Sequence, residues 1–299
     1  MAKRANRKYT SPVEPSVRTS VSALPDSPGV YIFYGTEGNL LYVGKSVAIR
    51  TRVRSHFVAR KERGMCKQIR HVEARATAGE LGALLLESQL IKQLQPSYNK
   101  RSRQKHRIIV ARRAITSLGY LGITLEAISH IDPADAKPIM GVFKTTTQAK
   151  EYLASTTKSH RLCAKLLGLE QTSRFCFSYH LHQCNGACMG LEPPASYNAR
   201  VEQAFEERRI KAWPFKGAVI IEEKDDERGE VFVVDNWCLL YSFTFSLRSP
   251  SLSVRGLHRF DYDSYKILAG YVFDEANAHR IRHATKDEID LLLSRARAA

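Results

Sequence analysis

The sequence predicts an α+β protein, and three observations carry that prediction. Two short apolar runs, Gly29–Tyr31 and Leu41–Lys45, are joined through the Gly-containing stretch Tyr34–Asn39, a β-hairpin pattern. A helix-period stripe follows directly, with Ile49, Val53 and Phe57 spaced by four. Near the other end, apolar runs at 217–222, 230–235 and 237–245 predict a second small antiparallel sheet. The expected organisation is a basic flexible tail over 1–22 and a domain at 23–105 with a small antiparallel sheet flanked by helices. A helical region with a four-cysteine cluster is expected at 106–200, and a smaller α+β domain at 201–299.

Taken in order, residues 1–22 are basic and rich in Ser, Thr and Pro, with little periodicity. Leu24–Pro28 is a turn that delivers the first strand. Tyr31 and Tyr42 then stand on neighbouring strands. Gly44 lets the chain leave the second strand sharply, and Ser46 is placed to cap a helix. On that helix Arg52 and His56 form an i,i+4 pair and point to one place. Lys61–Gly64 breaks the pattern, and Ile69–Thr77 reads as a third strand. Thr77 and Glu80 fit a capping box for a helix that runs to about Leu94, where Pro96 stops it.

Glu87 is the informative residue of that helix. Its neighbours at three and four residues are Ala83, Leu84, Leu90 and Ile91, all apolar. A carboxylate on such a stripe is costly to bury unless it meets a cation. A salt bridge to a nearby Arg or Lys and a metal ion both satisfy that demand. Beyond it, Ile108–Ala111 reads as a strand, and helical stretches are expected from Thr145 to Gly168, Tyr197 to Trp213, Asp263 to Phe273 and Lys286 to Arg297. The region from Ala114 to Pro138 receives no assignment.

The net charge of +16 is unevenly placed. Residues 44–113 hold eighteen Lys/Arg against four acidic residues, whereas residues 114–299 balance at twenty-three of each sign. One-sided placement around the hairpin and helix points to a polyanion. If roughly six phosphates are neutralised, affinity falls about 10³–10⁵-fold between 50 and 200 mM salt. An RNA-associated accessory protein would carry the same charge, and composition leaves it open. No apolar run reaches the length of a membrane span, and the N-terminus has no signal-peptide core, so a cytoplasmic protein without membrane contact is expected.

Four of the six cysteines, Cys163, Cys176, Cys184 and Cys188, form a C-x12-C-x7-C-x3-C pattern. Four thiolates so close in a cytosolic chain suit a tetrahedral zinc or an iron–sulfur cluster. The spacing does not choose between them, and His180 or His182 could replace a cysteine at zinc. Cys66 and Cys238 stand apart and read as ordinary buried thiols.

These residues carry a resemblance. Gly29-Val30-Tyr31, then Tyr42-Val43-Gly44-Lys45, then Arg52, resembles the GIY-YIG nuclease superfamily. Leu84–Lys92 around Glu87, followed by Pro96-Ser97-Tyr98-Asn99, is similar to the N-terminal nuclease domain of the UvrC/Cho endonucleases of nucleotide excision repair. The resemblance implies that Glu87 holds Mg²⁺ or Mn²⁺, that Arg52 binds the scissile phosphate and that Tyr42 is the general base. Lys45 would keep Tyr42 competent, and Tyr31 and Asn99 would complete the site. His56 stands where the family often has Tyr. For Tyr31 and Tyr42 an ordinary hairpin aromatic pair is the reading without this context. The cysteines resemble the cluster region of UvrC, which implies a [4Fe-4S] cluster with zinc as the alternative, although Gln183 replaces the expected Gly near Cys184.

The implied activity is incision of damaged double-stranded DNA on the 3′ side of a lesion, in a complex with UvrB loaded by UvrA. A C-terminal third too short for a second nuclease domain implies one nick per event. The alternatives are a free-standing GIY-YIG nuclease of recombination or restriction, and a non-catalytic metal-cluster adaptor that binds DNA.

Overall fold

A computed structural model describes residues 13–99, 108–128, 139–172, 176–246, 252–255 and 260–298. The chain divides into two compact units, one formed by residues 1–105 with 213–299 and the other by 106–212.

The first unit begins where a flexible tail was expected. Helix α1, Pro15–Ser20, carries Val17 into the core beside Val13 and Val21. The apolar spacing 13-17-21 was hidden among basic and hydroxyl residues; the basic cluster Lys3–Lys8 lies outside the described residues. Strands β1 (Gly29–Tyr34), β2 (Leu40–Ser46) and β3 (His71–Ala76) form an antiparallel sheet in the order β2-β1-β3. Tyr31 pairs with Gly44 and Phe33 with Tyr42, so the two tyrosines are diagonal neighbours. One face of the sheet, with Tyr31 and Phe33, packs on Ile49, Val53 and Phe57 of α2 (Ile49–Val58). The opposite face, with Val30, Ile32 and Val43, packs on Leu86, Leu90 and Ile91. These belong to a helix over Glu80–Leu94, α4, which follows the short α3 (Arg63–Cys66).

Both predicted helix caps are corrected. Ser46 closes a turn instead, its hydroxyl accepting from the Ala48 amide and donating to the Ala48 carbonyl. Asp26 takes over at α2, accepting the Thr51 amide and hydroxyl at 3.0 Å each. At α4, Thr77 donates to the Gly79 carbonyl and caps nothing. The capping groups there come from far along the chain. The Glu223 carboxylate accepts the amides of Leu81 and Gly82 at 3.1 and 2.8 Å, and Glu230 accepts that of Ala78 at 3.0 Å.

Glu223 and Glu230 stand on β7 (Val219–Lys224) and β8 (Arg228–Asp235), two strands of a five-stranded antiparallel sheet ordered β10-β9-β8-β7-β11. The predicted runs supply β7, β8 and β9 (Cys238–Ser246), and Leu252–Arg255 (β10) and Ile281–His283 (β11) add the edges. Helices Tyr262–Val272 and Lys286–Ala298 match the predicted ones closely.

The second unit carries a sheet as well as the expected helices. Strands Ile108–Ile115 (β4), Leu121–Ile128 (β5) and Ile139–Phe143 (β6) pair antiparallel in the order β5-β4-β6. β5 fills part of the segment left unassigned. Helix α5, Thr146–Ser159, begins at a Thr145 cap and ends well before Gly168. A helix over Pro194–Phe205 stops eight residues short of Trp213. Among the described residues no helix is long and apolar enough to cross a membrane.

Candidate active site

The hairpin places Tyr31 and Tyr42 with ring centroids 6.1 Å apart, against the surface of Gly44. A Cβ at Gly44 would lie 2.4 Å from the Tyr31 hydroxyl oxygen, so only glycine admits both rings there. Tyr31 is 1% exposed. Its hydroxyl meets His56 Nε2 at 2.6 Å, and His56 Nδ1 meets the Glu62 carboxylate at 2.6 Å. Burial pushes the Tyr31 hydroxyl far above the usual tyrosine range, and the Tyr42 hydroxyl beside it raises it further. Tyr42 is also held above its ordinary value, by burial first and then by the facing Glu87 carboxylate, while Arg52 pulls it back. For His56, burial depresses the imidazole below its ordinary value and Glu62 opposes it. The i,i+4 pair thus divides its work: His56 turns inward and Arg52 stays exposed, in no ion pair among the described residues.

Glu87 reaches this cluster from the other face of the sheet. Its Oε1 accepts the backbone amide of Lys45 at 3.0 Å, at the end of β2, and no side-chain ion pair holds it among the described residues. Burial raises the Glu87 carboxyl above its ordinary value, offset in part by the Lys45 amide and charge. The Lys45 ammonium itself turns to Glu80, 2.5 Å away. Arg52 is a cation that pulls the Tyr42 hydroxyl back toward its ordinary value. Asn99 sits on the strand's outer edge: its amide accepts from Val43 N–H at 2.9 Å and donates to Val43 O at 2.8 Å. Both polar groups are spent on backbone, so Asn99 braces the edge strand that carries Tyr42 and Lys45.

Comparison with known proteins follows these three segments. Residues 27–100 match the UvrC-like GIY-YIG domain, 120–207 the middle domain of UvrC/Cho excinucleases, and 218–288 the C-terminal domain of excinuclease Cho. Excinuclease Cho of Escherichia coli (strain K12) is 36% identical over 255 residues, 84% of each chain. The chain belongs to the Cho excinuclease family. Membership makes it a UvrC-like DNA endonuclease of excision repair. UvrABC system protein C of Desulforudis audaxviator is 31% identical over 194 residues, 62% of this chain and 30% of that protein. The crystal structure of the GIY-YIG N-terminal endonuclease domain of UvrC from Thermotoga maritima, bound to magnesium, matches at 29% identity. It covers 29% of this chain and 99% of that one, with a TM-score of 0.28.

The middle domain that this excinuclease family shares holds the four cysteines. Cys163 and Cys176 are fully buried, Cys184 is nearly so and Cys188 is half-buried. The Cys176 sulfur lies 3.7 Å from that of Cys163 and 3.6 Å from that of Cys184, and its amide donates to the Cys188 sulfur at 3.4 Å. The sulfurs of Cys163, Cys176 and Cys188 all lie within 4.8 Å of one another. Burial and the neighbouring thiols push the Cys163 thiol well above its usual range. A metal would displace these protons, and the sulfur separations fit one: a zinc–sulfur tetrahedron has edges of about 3.8 Å. Cys66 is buried away from the cluster, its thiol meeting the His56 carbonyl.

Two residues of the site escape sequence reasoning. Glu62, in the break after α2, carried no assignment, and Glu80, at the start of α4, was read only as half of a capping box. Their roles come from partners, His56 and Lys45, that only the fold brings near.

Proposed function

We propose that this endonuclease nicks damaged double-stranded DNA on the 3′ side of the lesion, within a complex where UvrA has loaded UvrB. One observation carries the catalytic reading. An exposed Arg52 and a Glu87 carboxylate, neither in a side-chain ion pair among the described residues, flank Tyr31 and Tyr42. An anionic phosphate satisfies Arg52, and a cation satisfies Glu87.

The division of labour follows from these positions. Arg52 binds the non-bridging phosphate oxygens and stabilises the charge that develops on them. Glu87 would hold Mg²⁺ or Mn²⁺, which would supply Lewis-acid neutralisation at the phosphate. Tyr42 takes a proton from the attacking water. With the Glu87 charge compensated, the largest electrostatic opposition to an ionised Tyr42 is removed and the pull of Arg52 remains. Tyr31 orients Tyr42, Lys45 fixes Glu80 and offers its amide to Glu87, and Asn99 keeps β2 in register. The four cysteines hold a structural group; resemblance to UvrC favours [4Fe-4S], while the short sulfur separations suit zinc, and iron and zinc analysis of the purified protein separates them.

The test is nicking of a lesion-bearing duplex with Mg²⁺, with and without UvrA and UvrB, beside Glu87→Gln. A single 3′-side nick that needs UvrB and Glu87 is the expected result. Cutting without UvrB would make the protein a free-standing nuclease. DNA binding without cutting under any condition would make it an adaptor.

A further inference from the structure

The mechanism above leaves unused the polar chain that runs from Tyr31 through buried His56 to Glu62. We infer that Glu62 is a positioning residue for catalysis, holding His56 in the tautomer whose Nε2 accepts the Tyr31 proton as Tyr42 gives up its own. The inference rests on the reading of Tyr42 as the base.

The direction of the hydrogen bonds follows from the inventory of donors. An ionised carboxylate only accepts, so the 2.6 Å contact to Glu62 requires the proton on His56 Nδ1. A neutral imidazole then has its lone pair on Nε2, and the Tyr31 hydroxyl must donate across its 2.6 Å contact. Tyr31 has one proton, so its oxygen is left to accept; Arg52 hydrogen-bonds to it, and the Tyr42 ring lies beside it with centroids 6.1 Å apart. The line Tyr31–His56–Glu62 is therefore polarised in one sense.

Proton transfer along that line balances. The Tyr42 proton moves to the Tyr31 oxygen while the Tyr31 proton moves to His56 Nε2, which creates an imidazolium facing the Glu62 carboxylate. Ionised Tyr42 then takes one proton from water as the water oxygen bonds to phosphorus and the bond to the leaving oxygen breaks. The proton held on His56 is released to solvent and the leaving oxygen gains one, so the sum is addition of one water across the phosphodiester. Tyr31 never becomes an anion; burial forbids it, and a relay does not require it.

Burial makes neutral imidazole the resting form of His56, against the pull of Glu62, and several groups face the ring. They are Glu62 from the turn after α2, Arg52 from its own helix, Tyr31 and Tyr42 from the two strands, and the Cys66 thiol against its carbonyl. Glu62 is the only anion among these described neighbours. Its side chain is 37% exposed, so it can stabilise the imidazolium only in part.

The experiment uses the full chain with its DNA substrate and its partners, and follows single-turnover nicking from acid to neutral pH. Glu62→Ala is expected to slow nicking roughly tenfold, the low end for a proton-transfer partner. Its affinity for DNA should not change. Glu62→Gln keeps an acceptor for Nδ1–H but no charge, and should recover part of that loss. In both variants the acid limb of the profile should move to lower pH, because the charge that favours protonated His56 is gone. A wild-type rate with an unmoved acid limb would overturn the inference. So would an equal loss in both variants with the limb unmoved, which would make Glu62 merely structural. Tyr42→Phe serves as the control: if it cuts normally, the base assignment fails first, whatever Glu62 does.

Discussion

Glu223 offers the sharpest test of how the C-terminal sheet supports the nuclease helix. Its carboxylate is 4% exposed and accepts two amides from the first turn of α4, seven residues before Glu87. Those amides have no partner inside the helix. Glu223→Ala would leave both buried and unsatisfied, at about 1–3 kcal/mol each, or roughly 4 kcal/mol together. For a unit of this size that lowers the melting temperature by about 8–16 °C, at roughly 2–4 °C per kcal/mol. Glu223→Gln keeps one carbonyl oxygen and should cost only about 1 kcal/mol.

The pH dependence adds a sign to the test. Burial raises the Glu223 carboxyl above its ordinary 4.5, and the Gly82 and Leu81 amides only partly oppose it. The folded chain thus holds this proton more tightly than the unfolded one. The stability from that preference is fully present below about 4.5 and is lost as pH rises through the folded value. The melting temperature of Glu223→Gln should therefore gain on the wild type as pH is raised. Scanning calorimetry across pH measures both effects. Glu223→Ala melting within about 2 °C of the wild type would refute the clamp, and a Gln deficit that grows with pH would refute the sign.

Three further outcomes are expected. Gly44→Ala forces a Cβ to within 2.4 Å of the Tyr31 hydroxyl, and a displacement of that size should slow single-turnover nicking by about 10²-fold with DNA affinity kept. Asn99→Ala removes both hydrogen bonds to Val43 and exposes the β2 edge, which should cost about 1–3 kcal/mol by denaturant titration. Cys176→Ser replaces the sulfur that lies nearest to both Cys163 and Cys184, and should abolish bound metal by elemental analysis and lower the melting temperature.

How much of this was legible in the sequence depended on distance along the chain. The hairpin, α2 and α4 each follow from local periodicity, and with them the approach of Tyr31, Tyr42, Arg52 and His56. Glu87 was visible because a charge interrupted an apolar stripe. The caps failed for the opposite reason. Thr77 and Glu80 made a locally satisfying box, yet buried carboxylates more than 140 residues away took the amides instead. Gly79 and Gly82 gave the only hint: a Cβ at either would lie within 2.3 Å of Glu223 or Glu230. The sheet of the middle unit was missed because its second strand, Leu121–Ile128, follows a Gly-containing turn and lacks strict alternation.

The position of β2 explains why the site needs support from so many directions. Among the described strands it is an edge strand that pairs with β1 alone, and it must present Tyr42 to one face and the Lys45 amide to Glu87. An edge strand in this sheet has one ladder to fix its register, and a slip by one residue would exchange the faces. The structure supplies the missing ladder from the chain after α4. Ser97 and Tyr98 donate to Leu40 and Leu41, and Asn99 closes on Val43 from both sides. The same α4 carries Glu87, so whatever fixes that helix also fixes the strand that Glu87 addresses. Glu223 and Glu230 at its start, with Lys92 paired to Asp261 near its end, tie both to the C-terminal sheet and helix. In this chain the nuclease site and the C-terminal domain are one mechanical unit, and catalytic geometry should fail with the clamp before DNA binding does.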